Sequence, residues 1–255
     1  MSWNPDVYNR YKKERYSPFY DLLQLITAKP NLKVIDLGCG TGEMTRLLAD
    51  ALPDAEVTGI DSSKEMLSKS AEFERESVSF ELKGVNEQLL EDEHWDLIFS
   101  NAALQWVDNH EELLPQIISK LNKNGQIAIQ VPSNNSHYTH QTLDHLAGEE
   151  PYLSALNGFK RLDPVLPISR YAEIIYQHSG TAINVFEKIY PHVLKDAHAL
   201  FEWVSGTSML QYIEKLPANL QTSFKQTYLQ RLQAEYTGSP VFYGFKRTVI
   251  VATFE

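Results

Sequence analysis

Along residues 32–131, short apolar runs alternate with amphipathic stretches. Apolar residues spaced three and four apart predict helices, and short apolar runs bounded by turn residues predict buried strands. The predicted strands are residues 32–36, 56–61, 77–82, 95–100 and 126–131, and the predicted helices begin after residue 42, near residue 63 and at residue 110. Strands that alternate with helices indicate a parallel sheet with helices on both faces.

The pattern changes after Pro132. Residues 133–168 carry no clean strand pattern, and three prolines interrupt them. Beyond them we predict helices at 169–179, 196–209 and 217–236 and strands at 183–194 and 241–254. The last two strands complete a seven-stranded sheet. We expect one domain over residues 1–255, with a ligand-binding core at 30–132 and a helical lid formed by 1–22, 133–168 and 195–240.

Composition narrows the class of protein. The 255 residues are 43% hydrophobic and 22% charged, which allows a sizeable core. The net charge of −10 argues against a general nucleic-acid binder, because such proteins need a basic face. The first residues lack the apolar run of a signal peptide, and no apolar stretch approaches the ~20 residues that span a bilayer. We expect a soluble, cytoplasmic and monomeric protein without membrane or nucleic-acid partners.

The chain has one cysteine, Cys39, which can form no internal disulfide and favours a reducing compartment. It lies in a glycine-rich turn with no histidine nearby in sequence, so we interpret it as a small buried residue rather than a nucleophile. No cysteine or histidine spacing indicates zinc, and we predict no metal.

The strongest motif is Asp36-Leu-Gly38-Cys-Gly40-Thr-Gly42, between a predicted strand and a predicted helix. Glycine is used where the backbone turns tightly and a ligand must approach it closely. The dinucleotide fingerprint is Gly-x-Gly-x-x-Gly, and here Glu43 occupies the place of its third glycine. A glutamate disfavours a pyrophosphate, so a nicotinamide dehydrogenase is disfavoured. A glycine turn that only packs a helix onto a strand is the structural alternative.

Two acids define the ligand more closely. Asp36 precedes the first glycine and suits a cationic group, and Asp61 ends the second strand, where it can accept bonds from ribose hydroxyls. A ribose, a positive group and no phosphate together indicate S-adenosylmethionine. These residues resemble the motifs of the class I S-adenosylmethionine-dependent methyltransferases. The resemblance implies a Rossmann-like, doubly wound, mostly parallel seven-stranded α/β sheet whose last strand is antiparallel.

Within that class the chain resembles the trans-aconitate 2-methyltransferases over about residues 3–254. The matching segments are Trp3-Asn4-Pro5 with Tyr8 and Glu14-Arg15, Asp96–Asn101, Leu104-Gln105-Trp106, Val131-Pro132, Thr139-His140, Trp203-Val204 and Phe245-x-Arg247. Leu104-Gln105-Trp106 also occurs in the malonyl-carrier-protein methyltransferases of biotin synthesis. Both families convert a carboxylate to a methyl ester.

We therefore predict two sets of site residues and no catalytic acid or base. Cofactor binding is assigned to Asp36, Gly38, Gly40, Gly42, Asp61, Ser62, Met66 and Asn101. Substrate binding is assigned to Tyr8, Arg15, Gln105, Trp106, His140, Trp203 and Arg247. A carboxylate is already ionised at pH 7, so the enzyme mainly has to align the reacting groups and exclude water.

The chain departs from the family at two places. Lys83-Gly84 stands where an acid usually meets the adenine, which leaves backbone groups, Asn86, Ile60 and Met66 as adenine contacts. Leu210 stands where the family commonly has an arginine, which favours a different or less charged acid than trans-aconitate.

The favoured function is thus an S-adenosylmethionine-dependent carboxyl O-methyltransferase that acts on a small, trans-aconitate-like acid. The alternatives are a malonyl-carrier-protein methyltransferase, another small-molecule methyltransferase and a cofactor-binding protein without turnover.

Overall fold

The computed structural model describes residues 12–161 and 163–255, with side chains from Tyr16 onward. The described residues form two compact units. The first, here called the sheet unit, comprises Arg15–Pro132, Pro164–Lys188 and Arg247–Glu255. The second, here called the helical unit, includes Ser133–Asp163 and Ile189–Lys246.

A seven-stranded sheet has the strand order β3-β2-β1-β4-β5-β7-β6. The strands are β1 (Lys33–Leu37), β2 (Glu56–Asp61), β3 (Val78–Leu82), β4 (Trp95–Asn101), β5 (Leu121–Pro132), β6 (Gly180–Leu194) and β7 (Val241–Phe254). The pairs β1·β2, β1·β4, β2·β3 and β4·β5 are parallel, and β5·β7 is antiparallel. The predicted fold class is therefore confirmed.

The α-helices, in chain order, are α1 (Lys12–Leu23), α2 (Glu43–Ala51), α3 (Lys64–Leu67), α4 (Val85–Gln88), α5 (His110–Ser119), α6 (Tyr138–Ala147), α7 (Tyr152–Ala155), α8 (Ile168–Gln177), α9 (Ala197–Ser205), α10 (Leu210–Ile213) and α11 (Ala218–Glu235). Short 3₁₀ helices lie at Ser70–Phe73 and Leu104–Trp106. No helix within these described ranges is both long and apolar enough to cross a membrane.

The central strands are apolar on both sides, as parallel strands covered on both faces must be. Ile35 and Ile98 belong to one buried cluster of the sheet unit. Val34 and Leu97, one residue earlier on each strand, belong to another. Successive strand residues point to opposite faces, so these two clusters cover the two sides of the sheet.

The helical unit has a core of its own, formed mainly by α6, α9, α11 and the first half of β7. Its fully buried side chains include Leu143, Leu200, Phe224, Tyr228 and Tyr243. Tyr228 Oη donates to the carbonyl of Thr139 at 2.9 Å, which satisfies a polar group inside this core.

Several elements differ from the sequence prediction, and helices α1, α4, α7 and α10 match no individually predicted helix. Residues 133–168 contain α6, which the sequence pattern did not reveal because its buried face mixes Thr139, His140 and Thr142 with leucines. Strand β5 starts at Leu121 rather than 126, and its pairing with β4 is irregular between Trp95 and Leu97. The helix predicted at 196–209 ends at Ser205, four residues early, and the other predicted boundaries agree within three residues, which is the usual uncertainty of boundaries read from a pattern.

Candidate active site

The glycine-rich loop follows β1 and is tied to the end of β2. The backbone N–H groups of Gly38 and Cys39 both donate to the carbonyl of Ile60 at 2.9 Å. Gly38, Gly40 and Gly42 have φ of +83°, +59° and +82°, in the left-handed region that favours glycine. The loop conformation thus explains why glycine recurs at every second residue.

The three glycines nevertheless have different surroundings. A Cβ on Gly38 would lie 2.1 Å from the Cβ of Ala103, and one on Gly42 would lie 2.7 Å from the ring of Phe80. A Cβ on Gly40 would meet only the flexible end of Met66, at 3.2 Å. Gly38 and Gly42 are therefore required by packing within the protein, whereas Gly40 borders space that a ligand can use.

Asp61 organises this loop through both carboxylate oxygens. Oδ2 accepts from the N–H of Gly40 at 2.9 Å, and Oδ1 accepts from the N–H of Ser63 at 2.8 Å. Each carboxylate oxygen has a second lone pair, so the half-buried carboxylate can still accept from two hydroxyl groups. Ser62 is exposed and Met66 half-buried beside it.

Asp36 is almost fully buried, and the hydroxyl of Thr45 donates to its Oδ2 at 2.6 Å. Burial raises the pKa of Asp36 to about 7, the Thr45 hydrogen bond opposes this, and the Asp61 carboxylate adds to it. Burial and the two carboxylates also raise the pKa of the Cys39 thiol. The loop therefore presents two carboxyl groups that a cation would stabilise, and an inert thiol.

The acid near the end of β3, Glu81, is exposed and is paired with Lys83. Lys83 pairs with Glu81 and Glu91 at 2.8 Å, and these partners raise the pKa of Lys83. Ile60 is fully buried, and its role as an adenine contact stays a prediction. Asn86 is exposed and Met66 half-buried, so these two side chains remain available.

Two amide side chains, one at the end of β4 and one in the 3₁₀ helix that follows, have unsatisfied oxygens. Asn101 Nδ2 contacts the sulfur of Met44 at 3.2 Å, and Gln105 Nε2 donates to the carbonyl of Ala102 at 2.7 Å. Asn101 Oδ1 and Gln105 Oε1 are buried without a hydrogen-bond partner. Buried polar atoms are nearly always paired, so these oxygens indicate a missing donor, as a bound ligand would provide.

Trp106, in the same segment, is 48% exposed and available as a wall of a pocket. His110 stabilises the 3₁₀ turn that carries Trp106. The Nε2–H of His110 donates to the carbonyl of Leu104 at 2.9 Å, and its Nδ1 faces the hydroxyl of Tyr171.

Arg247, on β7, is buried in the sheet unit, where its Nη1 donates to Oε1 of Gln130 at 2.8 Å. Gln130 lies on β5, is fully buried and was not among the predicted site residues. A single glutamine within the apolar run 127–131 was the available sequence signal.

In the helical unit, His140 is buried and forms a hydrogen bond with Ser208 Oγ at 3.0 Å through Nε2. Burial, and secondarily the charge of Arg161, lowers the pKa of His140 to about 3, so its imidazole is neutral at pH 7. His140 can therefore offer a hydrogen bond to an acid, but no positive charge.

Trp203 is half-buried in the helical unit and stacks near His192, at 4.7 Å between ring centroids, with Phe245 at 5.8 Å. Arg161, which was not among the predicted site residues, is held by Asp144 at 2.7 Å and by Asn135 at 2.8 Å. Leu210 begins α10 and is half-buried.

Of the other predicted substrate residues, Tyr8 and the side chain of Arg15 lie outside the described residues. Within the described part of the chain, no group of three or more histidine, cysteine or acidic residues could hold a metal ion. The sheet unit brings together all eight predicted cofactor residues. Their binding roles remain predictions.

A sheet of this order with an acid-lined glycine loop after β1 defines a methyltransferase of the Rossmann-like class. A family profile described as "Methyltransferase domain" matches residues 28–173. The chain belongs to the trans-aconitate 2-methyltransferase family, because it is 39% identical to the trans-aconitate 2-methyltransferase of Deinococcus radiodurans, over 99% of this chain and 98% of that protein.

Other relatives with this name agree. The chain is 37% identical to that of Variovorax paradoxus, over 99% of this chain and 98% of the relative. It is 31% identical to that of Mycobacterium tuberculosis, over 98% and 96% of the two chains.

Solved structures share the fold. The YcgJ protein of Bacillus subtilis has a TM-score of 0.62 at 15% identity and covers 94% of this chain and 99% of its own. Phosphoethanolamine N-methyltransferase 2 of Haemonchus contortus, solved with S-adenosylhomocysteine, has a TM-score of 0.56 at 16% identity, over 94% of this chain and 52% of that one.

Proposed function

We propose that this protein is an S-adenosylmethionine-dependent O-methyltransferase that converts a carboxylate of a small organic acid, trans-aconitate or a close analogue, to its methyl ester. The observation that carries the proposal is the 31–39% identity, over nearly the whole chain, to relatives named trans-aconitate 2-methyltransferase. The side chains described above are consistent with both ligands.

The residues present fit the cofactor. Gly40 leaves open the space that a Cβ would fill, and Asp61 has lone pairs for ribose hydroxyls. Asp36 and Asp61 supply the negative charge that a sulfonium and an ammonium group require, and Asn101 Oδ1 is an unsatisfied acceptor. When bound, S-adenosylmethionine supplies a methyl group on a good leaving group.

The remaining work of the protein is positioning. The acid is ionised at pH 7, so no residue has to remove a proton from it. Arg247 provides a buried cation for a carboxylate, and Gln105 and Trp106 lie on the turn after β4. His140 is neutral at pH 7 and acts as a hydrogen-bonding partner rather than as a counter-ion. Catalysis then rests on holding the two reactants in line and excluding water.

A substrate panel tests this proposal. The purified protein is incubated with S-adenosylmethionine and either trans-aconitate, cis-aconitate, citrate, a monocarboxylic acid or a malonyl thioester of acyl carrier protein. Mass spectrometry then measures methyl esters and S-adenosylhomocysteine. We expect the highest kcat/KM with trans-aconitate.

A preference for a less charged acid would keep the proposed reaction but change the assigned substrate. Exclusive use of the carrier-bound thioester would contradict the proposed substrate class, and turnover of none of the panel despite cofactor binding would contradict the proposed reaction.

A further inference from the structure

Gln130 is a polar residue in the interior of the sheet. It lies on β5 between Ile129 and Val131, and its side chain is 0% exposed. Its Oε1 accepts from Arg247 Nη1 at 2.8 Å, whereas its Nε2 is buried without a hydrogen-bond partner. A buried amide donor left unsatisfied costs free energy, so this N–H₂ group requires an explanation.

The orientation of the Gln130 amide is fixed by its neighbour. A guanidinium group only donates hydrogen bonds, so the oxygen of the amide must face Arg247. The nitrogen is thereby turned away from Arg247, and it can only donate.

A second unsatisfied group lies next to Gln130 on the neighbouring strand. Asn101 is the register partner of Gln130 in the β4·β5 ladder, and its Oδ1 is buried without a partner. Paired residues of adjacent strands lie on the same face of a sheet. The end of the β4·β5 ladder therefore carries an unsatisfied donor, Gln130 Nε2, and an unsatisfied acceptor, Asn101 Oδ1. The guanidinium of Arg247 is bound to the oxygen of the same glutamine.

We propose that Gln130 and Arg247 form a carboxylate subsite, in which Gln130 Oε1 orients the guanidinium and Gln130 Nε2 donates directly to a carboxylate oxygen. This inference rests on the proposed function and adds a specificity-determining residue to it. Two ligands of that reaction carry a carboxylate, namely the acid and the methionine part of the cofactor, and the experiment distinguishes them.

The same strand offers a matched control. Gln126 is also buried, at 4% exposed, but both of its amide atoms are satisfied by the backbone of Thr27, at 3.0 and 2.9 Å. Gln126→Met removes a buried glutamine from β5 without touching an unsatisfied group. It reports what the loss of such a residue does to stability alone.

The test compares Gln130→Met, Gln130→Glu and Gln126→Met with the wild type. Gln130→Glu retains an acceptor for Arg247 but replaces the donor with a second acceptor, so it separates orientation of the guanidinium from donation to the ligand. For each protein we measure KM and kcat with trans-aconitate. Calorimetry gives the dissociation constants of S-adenosylhomocysteine, of methylthioadenosine, which lacks the amino and carboxylate groups, and of trans-aconitate added to the S-adenosylhomocysteine complex.

If the subsite holds the acid, both Gln130 variants raise the KM and dissociation constant of trans-aconitate about tenfold or more, with little change in S-adenosylhomocysteine affinity. If it holds the cofactor carboxylate, both variants weaken S-adenosylhomocysteine by a similar factor and leave methylthioadenosine unchanged. Either result supports the subsite. In both cases Gln126→Met lowers thermal stability but leaves the ligand constants unchanged.

Unchanged ligand constants in both Gln130 variants would overturn the inference. Wild-type constants in Gln130→Glu with a defect only in Gln130→Met would also overturn it, because Gln130 would then only hold Arg247. The binding measurements need no turnover. Failure of the wild type to form any ester would therefore contradict the proposed function, while the Gln130 constants would still decide the subsite.

Discussion

At the scale of single residues, the candidate site depends on two carboxyl groups with different environments. Asp61 is half-buried and bound to loop amides through both oxygens, whereas Asp36 is buried beside one hydroxyl group. Asp61 can accept hydrogen bonds from hydroxyl groups of a ligand. Asp36 is stable as a carboxylate only when a positive charge lies nearby. Each carboxyl group therefore gives a separate prediction.

Asp61→Ala should weaken S-adenosylhomocysteine binding by about tenfold or more, because the ribose acceptor is lost and the Gly40 and Ser63 amides lose their partner. Asp61→Asn keeps one acceptor oxygen and should show a smaller loss. Titration calorimetry measures both constants. Wild-type affinity in the alanine variant would rule out the ribose role of Asp61.

Asp36 should make the stability of the ligand-free protein depend on pH. Its pKa in the folded protein is about 7, and an unfolded aspartate has a pKa near 3.9. Between these values the native state binds the proton and the unfolded state does not. The free energy of unfolding should therefore fall, by up to about 1.4 kcal/mol per pH unit, as the pH rises from about 4 to 7.

Thermal unfolding followed at several pH values measures this slope. Asp36→Asn should lose this component of the slope and should be more stable than the wild type at pH 8. Thr45→Val removes the hydrogen bond that lowers the Asp36 pKa, so the slope should extend to higher pH. An identical slope in the wild type and in Asp36→Asn would contradict the buried-acid account.

At the scale of elements, the glycine loop shows how one motif combines packing with binding. Gly38 and Gly42 lack room for a side chain because protein atoms fill the space, whereas Gly40 has room for one. The three positions are indistinguishable in sequence. Substitutions by alanine should separate them.

Gly38→Ala should destabilise the protein by about 3 kcal/mol or more, because its Cβ would overlap Ala103. Gly40→Ala should cost only the left-handed strain, about 1 kcal/mol, but should strongly weaken cofactor binding. Chemical denaturation and calorimetry measure the two effects.

Gly158 provides the control, since it has φ of +73° with no atom near its missing Cβ. Gly158→Ala should lose as much stability to left-handed backbone strain as Gly40→Ala does, and it should keep full affinity for the cofactor. If Gly40→Ala also kept full affinity, the loop at Gly40 would not contact the ligand.

The sequence predicted elements best where periodicity was strong. Strands β1 to β4 and β7 were predicted within one residue, because buried strands carry apolar runs, whereas β5 starts at Leu121 rather than at the predicted residue 126. Helix α6 was missed because its buried face carries Thr139, Thr142 and His140, and the hydrogen-bond partner of His140 Nε2, Ser208, is distant in sequence.

Gln130 was missed for the same physical reason. A glutamine in an apolar strand is ambiguous until its partner is known, and Arg247 lies 117 residues further along the chain. The two orphaned amide oxygens near β4 were equally invisible, since hydrogen-bond satisfaction is a property of the folded chain.

At the scale of the whole molecule, the chain combines an acidic surface with a local requirement for cations. The net charge is −10, yet the proposed substrate carries several carboxylates. The buried Arg247 places a positive charge in the interior of the sheet unit rather than on the surface. Such an arrangement favours selection of a small anion over general attraction of polyanions.

The central claim is that this protein transfers a methyl group from S-adenosylmethionine to a carboxylate of a small acid. The most direct test supplies S-adenosylmethionine with a deuterated methyl group together with trans-aconitate, and uses mass spectrometry to find the label. With the wild type we expect one labelled methyl ester for each S-adenosylhomocysteine formed. With Asp61→Ala we expect a much slower reaction when the cofactor is limiting. Cofactor binding without label in any ester, from trans-aconitate or from the other acids of the panel, would contradict the claim.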